Sequence, residues 1–172
     1  METAKAIAVR RSTRAYKPEQ IKDQELNEIV KAAKLAPIAR GAVENVHLTV
    51  IQNQALIRSI TEAAQKAAGT DKVSLNYGAP TVIIVSGKAL GGLEIANAAC
   101  ITENMLLTAA DLGLGSVFVW GAISVTKDQK EVIASLGLPE GFEPIAAAAV
   151  GYPAEAITGE REPRPLSLNV IK

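Results

Sequence analysis

The chain has one cysteine (Cys100), one histidine (His47) and one tryptophan (Trp120). A lone cysteine excludes an internal disulfide and fits a reducing compartment. One histidine and one cysteine cannot build a histidine- or cysteine-rich metal site. Ser12 and His47 have no evident third partner for a hydrolytic triad. Aromatic residues make up 3% of the 172 residues, so the 48% hydrophobic content is mostly aliphatic and alanine. Such a core packs small side chains closely, and a sizeable cavity has to be shaped by the backbone or filled by a ligand. Neither charge sign is in excess, with 18 Lys and Arg against 18 Asp and Glu. Zero net charge removes the electrostatic footprint of a nucleic-acid or anionic-membrane partner, so any basic patch is local. No long uninterrupted apolar run is present either. Residues 96–114 come nearest, but Asn97, Thr102, Glu103, Asn104 and Asp111 break them, as in a buried helix and not a membrane span. The first five residues lack the apolar stretch of a signal peptide. A single cytoplasmic domain is expected, large enough to bury roughly two-thirds of its unfolded surface.

What the chain does have is Arg10-Arg11-Ser12-Thr13-Arg14. Arginine presents a fixed fork of N–H donors that grips phosphate oxygens in pairs, and it stays charged at any working pH. Ser12 and Thr13 add hydroxyl donors. In an extended stretch Arg10, Ser12 and Arg14 share one side while Arg11 points away. A phosphate seat and a solvated basic turn both fit these five residues.

Around this cluster the elements follow from pattern. Residues 3–9 read as a short helix with Ala4 and Ile7 inward. Asp23 can cap a helix to about residue 35, with Leu26, Ile29, Val30 and Ala33 on one stripe and Pro37 ending it. Residues 46–51 alternate as a strand. Residues 55–68 form an amphipathic helix with Leu56, Ile60, Ala63, Ala64 and Ala67 facing in. Pro80 to Val85 is a β-branched run expected of a strand buried on both faces. Gly91-Gly92 opens the longest helix, about 93–112, which Gly113 and Gly115 stop. Its low charge all round predicts a central buried helix, with Cys100 as a small core residue. Residues 116–120 make a third strand. Thr126-Lys127-Asp128-Gln129 resembles a capping box that starts a helix to Leu136, and 144–150 is a fourth strand. The tail, 152–172, carries Pro153, Pro163 and Pro165. It is too polar for core, and either frays or lies along another surface.

With these elements in place, the chain resembles the nitroreductase family of FMN-dependent oxidoreductases over nearly its whole length. Arg10-Arg11-Ser12-Thr13-Arg14 is similar to the family's N-terminal R-x-S-x-R/K motif. Glu94-Ile95-Ala96, Glu103 to Ala110 and Leu112-Gly113-Leu114-Gly115-Ser116 are similar to its central helix and exit. Gly151-Tyr152-Pro153 closes the core as the family's G-Y/F-P does, and Arg164-Pro165-Leu166 sits where a late basic residue reaches the flavin phosphate. The resemblance implies an α+β, three-layer α/β/α fold with a central mixed sheet, a long buried helix and a C-terminal tail reaching the partner subunit. It implies a homodimer with FMN at the subunit interface. Arg10, Ser12, Arg14 and Arg164 would hold the phosphate and ribityl chain, with Arg161 assisting and Arg11 contributing main chain. Pro37, Ile38 and Ala39 would approach the ring from the other subunit. Trp120 and Gly121 would face flavin N5, and Asn76 would touch the ring. Trp120 also fits plain core packing at a strand end. The family often has Pro-Ser-x-x-Asn where this chain has Ile38 and Ala42, and the long inserted helices of larger members are missing.

The activity so implied is transfer of hydride or electrons from NADH or NADPH to a small acceptor, such as a nitroaromatic or quinone, by a ping-pong mechanism. Flavin makes and breaks the bonds, so no dedicated acid–base pair is required. A flavin-binding dimer without turnover, a specialised flavin enzyme and an anion-binding structural dimer are the other readings. Gly113-Leu114-Gly115 follows a helix and not a strand, so it is no dinucleotide fingerprint.

Overall fold

The computed structural model describes residues 1–172. In chain order the elements are α1 (Thr3–Val9), α2 (Asp23–Lys34), β1 (Val46–Ile51), α3 (Gln54–Ala68), β2 (Thr81–Gly87), α4 (Leu93–Asp111), β3 (Gly115–Val119), α5 (Gly121–Thr126), α6 (Lys130–Leu136) and β4 (Glu143–Gly151). The strands form one sheet in the order β1-β2-β4-β3. All three ladders between them are antiparallel. The expected mixed sheet is therefore corrected: the one parallel pairing is the single-residue bridge between Ser12 and Ser116 at the edge. The physical reason lies in β4. β2 and β3 run the same way, as a strand–helix–strand crossover demands, but the last strand inserts between them and pairs antiparallel with both.

Strand alternation divides the core in two. Val82, Ile84, Val117, Ala147 and Ala149 face α3 and α5, where Ile57, Ile60 and Ile123 meet them. Ile83, Val85, Ala146, Ala148 and Val150 face α2 and α4, against Ile29, Ala33, Ile101 and Met105. The result is the three-layer α/β/α arrangement. Every residue of β2 is buried, as its β-branched run predicts. The alanines of β4 are buried as well, and their small side chains let helices press on both faces of the central strand.

Several local expectations are revised. On α1 it is Ala6 that is buried, while Ile7 is 50% exposed and Ala4 is also exposed. The N-cap of α2 is Lys22, whose N–H donates to Glu25 Oε2 at 2.8 Å, so the helix opens on Asp23 and is not capped by it. On α3 Ile57 is buried in place of the outward Ala67. The long helix α4 is buried along one face only; Ile95, Ala96, Ala99 and Cys100 lie on an exposed face in the single chain. Thr126 ends α5, its hydroxyl donating to Ala122 O at 2.7 Å, and does not start α6. The N-terminus of α4 is closed by Glu94, which accepts the N–H groups of Leu90 (2.8 Å) and Gly92 (3.0 Å). The bond from its own N–H above all, together with those from Leu90 and Gly92, holds its carboxyl below the usual carboxylate range. No helix is long and apolar enough to cross a membrane.

Candidate cofactor site

The arginine pentapeptide is clamped between β3 and the segment that leaves β4. Thr13 donates its N–H to Ser116 O at 2.9 Å, and Lys17 donates to Tyr152 O at 2.9 Å. Ala154 returns a bond to Ala15 O at 3.0 Å. Tyr16 donates its hydroxyl to Thr13 O at 2.7 Å. Burial pushes the Tyr16 phenol well above its ordinary range, with Arg14 opposing, so this donor keeps its proton. The close approach depends on glycine. A Cβ on Gly115 would lie 2.8 Å from Thr13 Cγ2, and one on Gly151 would lie 2.6 Å from Pro80 Cδ.

Between pentapeptide and tail lies a cleft of about 370 Å³ lined by Arg11, Ser12, Arg14, Pro153, Glu155 and Ile157, among others. Arg11 donates one Nη2 bond to Gly159 O at 2.7 Å, which holds the start of the tail. The Arg14 guanidinium stands 5.5 Å over the Tyr77 ring and has no carboxylate partner. It is an unneutralised fork at the cleft. Arg10 turns the other way, its Nε 3.0 Å from Glu103 Oε1 on α4. In the single chain Arg11, Ser12 and Arg14 line this cleft and Arg10 does not. The segment makes a single β bridge and is not a regular strand, so period-two alternation does not run through it.

The edge strand β3 extends the cleft. Because Ser116 O accepts a bond on the side away from β4, strand alternation turns the backbone N–H and C=O of Phe118 outward as well, while Trp120, just past the strand, gives its C=O to Ser124 N–H at 2.8 Å as α5 begins. From Ser116 to Val119 this edge runs about 10 Å at the usual strand rise. At its far end Trp120 is 58% exposed. With Ile95, Ser124, Lys127 and Ile145 it lines a second cleft of about 320 Å³. Gly121 opens α5 directly beside it. The edge therefore offers a cationic fork at one end, the outward backbone of Phe118 along its length, and an exposed indole just beyond the other. That arrangement fits an elongated ligand with an anionic head and a flat ring.

The remaining expected site residues lie elsewhere in the single chain. Asn76 donates Nδ2 to Ala79 O at 2.7 Å and so braces its own loop. Arg161 is tied to α1, its N–H on Ala8 O and its Nη2 on Ile7 O, each at 2.9 Å. Arg164 lines the same cleft along α1, not the cleft of Arg14. Pro37, Ile38 and Ala39 connect α2 to β1. Ile38 lines an apolar cleft of about 360 Å³ with Ala33, Val43, Val46, Leu48 and Ile101. Three contributors were not among the expected residues. Tyr16 and Tyr77 carried no spacing signal, and Gly115 read only as a helix exit. No group of three or more His, Cys, Asp or Glu side chains is placed to hold a metal.

Comparison with known proteins gives this frame its class. The nitroreductase family model matches residues 7–152, and the chain belongs to that family. An Archaeoglobus fulgidus protein carrying the provisional name NADH dehydrogenase/NAD(P)H nitroreductase is 30% identical over 156 residues, covering 88% of this chain and 86% of its own. A Bacteroides fragilis nitroreductase solved with bound FMN superposes with a TM-score of 0.86 at 30% identity, over 100% of both chains. A Desulfitobacterium hafniense nitroreductase gives a TM-score of 0.87 over 100% of both chains at 23% identity, a likeness of fold.

Proposed function

We propose that this protein is an FMN-dependent oxidoreductase that takes hydride from NADH or NADPH and reduces a small acceptor such as a nitroaromatic or quinone. The observation that carries the reading is Arg14, an unneutralised guanidinium in a cleft that opens at the head of the free edge of β3. Arg11, Ser12 and Arg14 bind the flavin phosphate. The backbone N–H groups at Trp120 and Gly121, where α5 begins, would meet the ring edge, with the exposed indole beside them. Bound FMN supplies the hydride-accepting and hydride-donating chemistry itself. The chain's contribution is orientation and positive or N–H dipoles near the ring, which favour its electron-rich reduced form. Donor and acceptor use the same opening in turn, which gives ping-pong kinetics. A cytoplasmic setting belongs to this reading and is supported by the single cysteine.

A homodimer is part of the proposal. The exposed apolar face of α4 and the placement of Pro37, Ile38 and Ala39 away from the Arg14 cleft support a site completed by the partner subunit. So does the tail. Leu166, Leu168 and Val170 alternate with Ser167 and Asn169 at strand period and stand between 64% and 84% exposed. On this reading they pack on the partner, and Arg164 and Arg161 travel with them toward its phosphate. Leu168→Ser is expected to raise the dimer dissociation constant about tenfold through lost apolar burial, measured by sedimentation equilibrium.

Glu103→Gln frees Arg10 of its carboxylate. It is expected to tighten FMN about two- to threefold, with the gain fading as salt is added. A fluorescence titration at two salt concentrations reads both effects. The direct test of function is the visible spectrum of the protein titrated with FMN, then with NADH or NADPH under anaerobic conditions. Flavin bands that appear and bleach are expected. Bands that form but do not bleach with either nicotinamide overturn the oxidoreductase activity and leave a flavin-binding protein.

A further inference from the structure

Asn97 lies on α4, 4% exposed, and has no part in the cleft of Arg14 or in that of Trp120. Its Oδ1 accepts the N–H of Ala39 at 2.9 Å. Its Nδ2 is buried without a hydrogen-bond partner. Two helical turns further on, Asn104 donates Nδ2 to Ala32 O at 3.1 Å, at the end of α2. Residues seven apart share one face of a helix. The two asparagines therefore fasten the exit of α2 and the loop that follows it to the same stripe of α4.

That loop is strained. Arg40 has φ 60° and Gly41 φ 65°, so a non-glycine residue sits in the left-handed region one position after the fastened amide. Such a conformation persists only where the surroundings over-determine it. An asparagine that leaves its own donor unpaired contributes little to packing, because an unmatched buried amide is costly. What it supplies is an acceptor for Ala39, at the one point where the loop touches α4 through a side-chain hydrogen bond.

We infer that Asn97 is a positioning residue for the flavin: by holding Ala39 it fixes the backbone of residues 37–41 in the shape that meets the ring. This rests on the FMN reading and on the approach of Pro37, Ile38 and Ala39 to the ring of the partner subunit. Asn97→Leu keeps the branching at Cγ and removes the acceptor, leaving Ala39 N–H unpaired and the loop free to relax. Asn97→Asp keeps the acceptor and removes the unpaired donor, at the cost of burying a carboxyl with no cation beside it. Arg40→Gly removes the penalty of the left-handed conformation without touching Asn97.

The test pairs amide hydrogen exchange over residues 38–42 with FMN affinity from flavin fluorescence, on the full chain. Asn97→Leu is expected to speed exchange at Ala39 and to raise the FMN Kd about tenfold, the loss of one well-placed hydrogen bond. Asn97→Asp, which retains the acceptor, is expected to lose clearly less on both readouts than Asn97→Leu, and Arg40→Gly to restore part of the affinity lost by Asn97→Leu. An unchanged Kd in Asn97→Leu, or an equal loss in Asn97→Asp, overturns the positioning role while FMN binding itself stands. Failure of the unsubstituted chain to bind FMN overturns the flavin reading instead and takes this role with it.

Discussion

Arg14→Ala is expected to weaken FMN binding by about 1–3 kcal/mol, roughly five- to 150-fold in Kd, through the loss of charged hydrogen bonds to the phosphate. Arg14 is the sensitive choice among the arginines because its fellows are already engaged. Arg10 is paired with Glu103, and Arg11 spends two N–H groups, on Val9 O and on Gly159 O. Arg14 has no carboxylate and touches only the face of Tyr77. Its removal should therefore cost the apo protein little, on the order of the ~0.5–1 kcal/mol of an exposed cation–π contact. The affinity loss and the small change in melting temperature together distinguish a binding residue from a structural one. Arg14→Lys restores the charge but not the planar fork, so it should recover part of the affinity. A titration in which Arg14→Ala binds FMN as tightly as the unsubstituted chain would remove the cleft from the site. Riboflavin, which lacks the phosphate, should bind both forms equally.

How far the sequence carries this picture depends on which physical signal each element leaves. The strand at 46–51 and the buried run beginning at Thr81 are legible because burial on one or both faces writes itself into every residue. The long helix is legible from its glycine boundaries, and α4 begins and ends within a residue of the expected bounds. Strand direction is not legible. It depends on where β4 inserts, and four consecutive alanines carry no mark of which neighbours they will have. The short helix α5 escapes because Thr126 looks like a cap from either side of the helix boundary. Its hydroxyl closes the helix before it and does not open the one after.

The site divides in the same way. Residue type alone singles out the arginine pentapeptide, but the direction of each arginine does not follow from alternation. Thr13 and Tyr16 pin one point of the segment and leave the rest irregular. Arg161 and Arg164 lie beside α1 of their own chain, so any role at a phosphate is a property of an assembly and not of one chain's contacts. The exposure of Cys100 and Ile95 on α4 has the same origin. A helix that is apolar all round reads as buried, and the single chain covers one face of it only.

Gly115→Ala is expected to damage both the fold and the site, and its effect separates space from backbone conformation. Gly115 is not in the left-handed region, so alanine brings no backbone penalty; the objection is purely one of room. An added Cβ would stand 2.8 Å from Thr13 Cγ2, 3.0 Å from Thr13 Cβ and 3.0 Å from Thr13 Oγ1. Thr13 cannot simply withdraw. Its N–H is bound to Ser116 O at 2.9 Å, and its carbonyl receives the Tyr16 hydroxyl at 2.7 Å. Relief has to come from moving the 12–14 backbone off β3, which breaks the bridge that seats the phosphate cleft. Overpacking of this kind costs about 1–3 kcal/mol. For a chain of this size that lowers the melting temperature by roughly 2–12 °C. Displacing a phosphate-binding backbone by a few tenths of an ångström should also raise the FMN Kd by at least about tenfold, the loss of one charged hydrogen bond. Thr13→Ala in the same chain removes two of the three crowding atoms. The double variant should therefore recover part of both losses, a non-additivity expected of residues in contact. Thermal melting and flavin fluorescence on the four proteins of that cycle read the coupling directly. Additive losses would mean that Gly115 and Thr13 act independently, and the seat of the phosphate would then not depend on their close approach.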